Sequence, residues 1–281
     1  MRIAARLATA HLAAAAFIII APTANDAAHQ ALGNDPAFAA VVRINRVDSL
    51  AGTGTLIAPT WVLTAAHVVA GQSPDSMRVV LDTRTIAVRQ LVMHPAWKRR
   101  IDDPDLALIE LATPVADIAP LALSDSLPSA STEITIVGYG AGGPMATDRG
   151  VKRGATNRID QAGGRSHGTQ LSAWHLSIDF DDGQSPAVNA LGDASPTRLE
   201  GINSGGDSGG PWLVQQRGAA GITWRIAAVY HVTSYNIGNM ASTPPRFGGA
   251  VAMGIGIAPF RPWIDSTLHA SVHSTSPSTA P

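Results

Sequence analysis

Ser208 lies within Gly205-Gly206-Asp207-Ser208-Gly209-Gly210-Pro211, a serine set in a glycine-rich turn. A serine hydroxyl is a weak nucleophile near neutral pH until a base takes its proton and N–H groups hold the oxyanion that forms. Glycines on both sides open backbone conformations closed to other residues and let amides approach a substrate carbonyl. The run therefore asks for a histidine and a carboxylate elsewhere in the chain. His67 follows Trp61-Val62-Leu63-Thr64-Ala65-Ala66, an apolar stretch whose small last residues leave room for an imidazole at a strand end. Asp105 opens Asp105-Leu106-Ala107-Leu108-Ile109-Glu110-Leu111, which reads as a buried strand with a carboxylate at its mouth. A buried carboxylate that accepts the imidazole N–H fixes the ring's tautomer and steadies the imidazolium. Together the three groups point to acyl transfer through serine.

Taken singly, each residue has a blander reading. A lone histidine beside an apolar strand is more often packed or exposed, an aspartate before such a strand is usually a turn or cap residue, and Gly-Asp-Ser-Gly is usually just a loop. Their conjunction carries the argument. Asp102 and Asp103 compete with Asp105 for the carboxylate role, but Asp102-Asp103-Pro104 reads as turn, whereas Asp105 directly precedes the strand. Gly206-Asp207-Ser208-Gly209-Gly210 also fits the nucleophile elbow of α/β-hydrolases. That fold wants an acid and then a histidine downstream, and the chain offers only Asp265 with His269 and His273 in a Ser/Thr/Pro-rich tail.

Thr64-Ala65-Ala66-His67, Asp105-Leu106-Ala107-Leu108 and Gly206-Asp207-Ser208-Gly209-Gly210-Pro211, in that order and separated by 38 and 103 residues, resemble the signature of the trypsin/chymotrypsin-type serine endopeptidases. The resemblance covers roughly Ala39 to Leu268. It implies His67 as general base, Asp105 as its orienter, Ser208 as nucleophile, and the N–H groups of Gly206 and Ser208 as an oxyanion hole. It also implies that Asp207 pairs with a newly freed N-terminal ammonium. No Ile-Val-Gly-Gly-like start is present; Ala31-Leu32-Gly33-Asn34 is the nearest candidate, so either trimming supplies the ammonium or another group satisfies Asp207. The floor of the primary substrate pocket would fall at Ile202, followed by Asn203 and Ser204, with walls from Tyr230–Thr233, including His231, and from Phe247–Ala250, including Gly249. Without an acid at that floor the implied preference is for uncharged side chains, because a buried charge lacking a partner is costly.

The elements that must position these groups are strands. The chain has 281 residues, 45% apolar and 15% charged, with 27 glycines and 19 prolines, a composition that favours short strands and many turns. The expected fold is all-β: two six-stranded Greek-key barrels, about 39–120 and 131–258, within a peptidase domain of 28–265. First-barrel strands are expected at Ala39–Ile44, Gly54–Ile57, Trp61–Thr64, Met77–Leu81, Thr85–Met93 and Leu106–Leu111. Second-barrel strands are expected at Ile134–Tyr139, around Leu171–Phe180, and at Pro211–Val214, Trp224–His231 and Gly249–Ile255. Pro259–Leu268 reads as a short closing helix, and 266–281 as a disordered Ser/Thr/Pro-rich tail.

Composition narrows the remaining choices. A net charge of −1 gives no electrostatic case for nucleic acid or an anionic membrane, and Lys98-Arg99-Arg100 reads as a solvated loop. Zero cysteines exclude thiol catalysis, cysteine metal sites and disulfides. Asp179, Asp181 and Asp182 would suit a calcium loop, but their spacing fits a solvated turn better. His167 and His175 lack a partner at metal-ligand spacing, and Glu200 belongs to the cleft wall or its rim. No metal or cofactor is expected. Arg2 and Arg6 before the apolar Leu12–Ile20 and the small Ala24, Ala27 and Ala28 read as an export signal over 1–27, with an uncleaved anchor as the alternative. The reading is a secreted, bacterial-type monomer, extracellular or periplasmic, acting on protein or peptide. The alternatives are a protease-like binding module without catalysis and an esterase using the same residues.

Overall fold

The computed structural model describes residues 19–20, 26–47, 49–142, 148–166, 169–181, 183, 189–218, 221–234 and 250–274. Strands Val41–Arg46 (β1), Ser49–Ala58 (β2), Trp61–Thr64 (β3), Met77–Leu81 (β4), Arg84–Met93 (β5) and Ala107–Leu111 (β6) close a barrel in the order β1-β2-β3-β6-β5-β4. All residues of β3 and β6 are buried, as near-continuous apolar runs require when both faces are covered. Leu56, Leu63, Leu106 and Leu108 are fully buried in its core. The strand expectations for this half hold, with β2 starting earlier, at Ser49.

The second half is one antiparallel system. Glu133–Gly138 (β7), Arg153–Arg158 (β8), Gln161–Ala162 (β9), His175–Asp179 (β10), Pro211–Gly218 (β11), Gly221–Ser234 (β12) and Val251–Gly256 (β13) run in the order β8-β7-β11-β12-β13-β10-β9. Because β8 and β9 are separated by only Ile159 and Asp160, the chain bridges β7 on one side and β10 on the other, and the sheet comes round on itself. Ala122–Leu123 adds a short parallel pairing to β12. Sequence reading passes over the β8–β9 segment. Arg153-Gly-Ala-Thr-Asn-Arg158 shows no apolar alternation because its buried positions include Arg153, Thr156 and Asn157. Asn157 instead donates through Nδ2 to Asp179 O, Glu200 Oε1 and Gly201 O at 2.7–2.9 Å.

Two helices depart from the sequence reading. Asp26–Gly33 (α1) packs against β8: Asp26 pairs with the Arg153 Nε at 2.6 Å, and the buried His29 ring bonds Gly154 O at 2.8 Å. Asp26 belongs to the 1–27 stretch read as leader, and the candidate start Ala31-Leu32-Gly33 sits within this helix. The closing helix (α3) spans Arg261–Ser274, running on through residues read as disordered tail. Nothing from Ser266 to Ser274 breaks a helix, and Thr267 Oγ1 donates to Trp263 O at 2.8 Å. Ile264 anchors α3 in the core. Among the described residues no helix is long and apolar enough to cross a membrane.

Candidate active site

The pairing of β3 with β6 matches Trp61 to Glu110 and Thr64 to Ala107. Continued past the sheet, that register brings the residues after Thr64 level with those before Ala107. The chain then turns into the four-residue helix Ala66–Val69 (α2), which carries His67. As a result His67 Nδ1 lies 2.5 Å from Asp105 Oδ2, and the His67 backbone N–H donates to Asp105 Oδ1 at 2.8 Å. Asp105 is fully buried, whereas the His67 ring is 38% exposed at the cleft. Burial alone would raise the Asp105 pKa, but hydrogen bonds from His231 and His67 outweigh it and hold the carboxyl well below the usual range. Asp102 and Asp103 lie elsewhere: Asp102 is 3.6 Å from the Arg100 guanidinium, and Asp103 accepts the N–H groups of Lys98 and Arg100.

Ser208 comes from the loop before β11 and is pinned from both halves of the molecule. Thr53 of β2 donates its N–H to Ser208 O at 2.8 Å and its hydroxyl to Gly206 O at 2.8 Å. From the other side, Gly209 N–H reaches Tyr230 O and Tyr230 N–H reaches Gly210 O. Gly206 and Gly209 have φ of +103° and +83°, and a Cβ on Gly209 would stand 2.0 Å from Thr64 Oγ1. Both positions therefore need glycine. Among the described residues, neither the Gly206 N–H nor the Ser208 N–H meets an acceptor within the protein. Ser208 lines the same cleft as His67, a cavity of about 650 Å³, with no hydrogen bond between the hydroxyl and the ring. Such bonds are often long in ligand-free enzymes and tighten when substrate enters.

Asp207 is wholly buried. Its carboxylate accepts Gly140 N–H at 2.8 Å, Ser204 N–H at 3.0 Å and the Ser204 hydroxyl at 3.3 Å, and burial pushes its pKa up to about 6. These groups answer for the carboxylate in this structure.

The substrate-pocket residues divide. Tyr230 and His231 line the cleft, together with Gly205, Val232 and Thr233. Ile202 is instead fully buried in the second-barrel core with Trp212. Asn203 is buried beside it because its Oδ1 accepts the Trp212 indole N–H at 2.6 Å. Gly249 lies outside the described residues, as do His167 and Asp182. Glu200 is buried inside the second barrel, where its Oε2 accepts the Thr197 N–H and hydroxyl; burial pushes its pKa up to about 8. Asp179 is not a solvated turn residue: it is 1% exposed, and its Oδ2 accepts the N–H groups of Ala190 and Leu191. His175 is a buried strand residue whose Nδ1 lies 3.3 Å from Ser172 O.

Sequence reading had no signal for the part His231 plays. Its Nδ1 lies 2.6 Å from Asp105 Oδ2, the same oxygen that His67 engages. His67, Asp105 and His231 are also the described trio whose ligand atoms come within 4.8 Å of one another. Separations of 2.5 and 2.6 Å are those of hydrogen bonds, since two ligands of one tetrahedral Zn²⁺ stand about 3.3 Å apart. Thr53, which ties the Ser208 loop to the first barrel, was equally silent in the sequence.

Known proteins show matching patterns. The family model described as Trypsin matches residues 28–230. Complement C1s subcomponent of Rattus norvegicus is 34% identical over 116 residues, 33% of this chain and 17% of that protein. Serine protease 56 of Homo sapiens is 29% identical over 200 residues, 62% of this chain and 32% of that protein. Snake venom serine proteinase 14 of Crotalus adamanteus is 36% identical over 114 residues, 38% and 44% of the two chains. Each match thus spans less than half of the relative. The solved structure of neuropsin, a serine protease expressed in the limbic system of mouse brain, superposes with a TM-score of 0.57 at 19% identity, covering 84% of this chain and 96% of that one. That likeness speaks for the two-barrel fold. The family match runs from helix α1 through the first barrel and into the second as far as Tyr230 of β12, taking in His67, Asp105 and Ser208, and this chain is a member of the trypsin family of serine proteases.

Proposed function

We propose that the chain is a secreted serine endopeptidase that cleaves peptide bonds through an acyl-enzyme. The observation that carries this reading is the His67–Asp105 pair at 2.5 Å, facing a cleft that Ser208 also lines. With Asp105 holding a proton on Nδ1, the Nε2 of His67 is left as a bare lone pair. It takes the Ser208 proton as Oγ bonds to the substrate carbonyl carbon. The N–H groups of Gly206 and Ser208, without acceptors among the described residues, would receive the oxyanion. The tetrahedral species then expels the amine, which leaves with the proton from His67, and a water repeats the sequence to release the acid and regenerate Ser208.

Of the described residues lining the cleft, the one carboxylate is Asp105, which is buried and engaged by two rings. Among the described lining residues no free acid awaits a lysine or arginine side chain, which supports a preference for uncharged residues before the scissile bond. The test is digestion of a mixed peptide library by the exported chain beside Ser208→Ala. Cleavage after uncharged residues, lost in the variant while its melting temperature stays the same, is expected. Cleavage that persists in Ser208→Ala, or binding of peptides without cleavage by the wild type, defeats the proposal.

A further inference from the structure

The loop that joins β5 to β6 brings positive charge to the cleft. Read from the sequence, Lys98-Arg99-Arg100 is a solvated run, yet Arg99 and Arg100 line the cavity that His67 and Ser208 also line. Asp103 shapes the loop: its Oδ2 accepts the N–H groups of Lys98 and Arg100. Upstream, the Trp97 N–H donates to His94 O at 3.0 Å. Between these fixed points Arg99 takes a φ of +66°. A residue other than glycine is uncommon in that left-handed region, and backbone strain of this kind gathers at ligand clamps.

The two arginines differ in what faces them. Arg100 has a carboxylate beside it, its Nε standing 3.6 Å from Asp102 Oδ1. Arg99 has none among the described residues; its guanidinium carbon lies 5.6 Å from the centre of the Trp97 ring. Trp97 is half-buried against the core, so the indole is a fixed platform. A guanidinium over an indole face is held by cation–π attraction and keeps N–H groups at its rim, where a carboxylate can take two of them at once. Asp105, the one carboxylate among the described lining residues, is buried and engaged by two rings, so it does not answer Arg99. This wall of the cleft is therefore cationic in a chain whose net charge is −1.

We infer that, on the protease reading above, Arg99 determines specificity: its guanidinium recognises an aspartate or glutamate side chain of the substrate close to the scissile bond. Arg99 and Ser208 line one cavity of about 650 Å³. An extended peptide advances about 3.3 Å per residue, so the acidic residue lies within a few positions of the bond that is cut. It is not the residue that Tyr230–Thr233 would hold, since Arg99 belongs to a first-barrel loop and Tyr230–Thr233 to β12 of the second. An uncharged side chain against β12 and an acidic one against Arg99 together describe the peptide that this cleft fits.

The experiment measures kcat/KM on paired peptides of one uncharged sequence, with Asp or Asn placed at one position at a time, for the wild type, Arg99→Gln and Arg99→Glu. Fluorophosphonate labelling of Ser208 is followed in each chain. The Asp-to-Asn ratio is taken within a single chain, so a poorly folded fraction cancels. In the wild type it should reach roughly fivefold at one position, the upper end for an exposed ion pair. It should shrink in molar salt, where the Debye length is about 3 Å. At the same position the preference should vanish in Arg99→Gln and invert in Arg99→Glu. Equal rates for Asp and Asn peptides at every position in the wild type, or an acidic preference that survives in Arg99→Gln, overturn the inference while leaving the protease reading intact. A wild type that cleaves none of the peptides and is never labelled removes both.

Discussion

The two barrels solve burial in opposite ways. The first is packed largely with apolar side chains and buries two acids, Asp105 at the mouth of β6 and Glu110 within it, 3.4 Å from the Arg89 guanidinium. The second threads charged and polar groups through its walls, with Arg153, Asn157, Asp179, Glu200 and Asp207 all at most 7% exposed. The first barrel thus offers a frame whose register brings His67 and Asp105 together. The second offers a loop and a pocket held by hydrogen bonds to buried polar groups, which tie its stability to pH. Catalysis in this account needs both, with Thr53, Tyr230 and His231 as the ties between them.

The sharpest way to break that contrast is Asp105→Asn. Both rings bond the same oxygen, so an amide must present its NH₂ either to the two rings, which must then both change tautomer, or to the His67 backbone N–H, which cannot accept it. The expected loss in kcat is about 10⁴-fold, with the fold preserved as judged by near-ultraviolet circular dichroism. A loss of less than tenfold would make the first barrel's carboxylate structural rather than chemical.

Next in size are paired truncations, one in each barrel. Leu108→Ala removes a fully buried side chain from β6 and should cost about 2–5 kcal/mol in urea unfolding, by a similar amount at pH 5 and pH 8. Asn157→Ala strips a donor from three buried acceptors and should cost about 3 kcal/mol, by an amount that shifts with pH because Glu200 is one of the three. If both losses follow pH alike, the contrast between the barrels fails.

A smaller effect concerns the unmodified chain. Burial raises the pKa of Asp207 to about 6, of Asp160 to about 7 and of Glu200 to about 8, all in the second barrel. A carboxyl whose folded pKa lies above its unfolded value near 4 binds protons that the unfolded chain releases. Its stabilising contribution is complete below about pH 4 and is lost as pH climbs through the folded values. Asp105, held low, works the other way and loses its contribution as pH falls below about 4. Calorimetry should therefore show the melting temperature declining between about pH 4 and 8, with a shallower decline in Glu200→Gln. An unchanged slope in that variant would remove Glu200 from the account.

The smallest expected change is Asp26→Ala. The Asp26–Arg153 pair spans 2.6 Å, but Asp26 is 44% exposed, so its loss should cost about 1 kcal/mol or less. The same contact makes the mature N-terminus informative. If the 1–27 stretch is cleaved on export, a cut after Ala24 keeps Asp26 on Arg153 and a cut after Ala27 discards it; mass spectrometry of the secreted product should find the former.

How much of this could be read from the sequence follows the same division. First-barrel strands announce themselves because apolar residues fill both faces of β3 and β6, and His67 and Asp105 stand at their ends. The glycines around Ser208 are legible because Gly206 and Gly209 need positive φ. Strand β8 is not legible, since Arg153 and Asn157 are buried by partners far along the chain that no local pattern reveals. The same holds for Ile202, which a residue count puts at a pocket floor and the Trp212 packing draws into the core. His231 looks like an odd wall residue until Asp105, 126 positions away, is seen at 2.6 Å. Local periodicity reports burial among apolar neighbours; it is mute about polar groups satisfied at long range.

The most direct measurement of the central claim is intact-mass and peptide-mass analysis after fluorophosphonate treatment of the wild type and of His67→Ala. One adduct per chain, located on Ser208 and absent from His67→Ala, is the outcome this account requires. No adduct, an adduct on another residue, or equal labelling without the imidazole would show that base and nucleophile do not act together across the cleft.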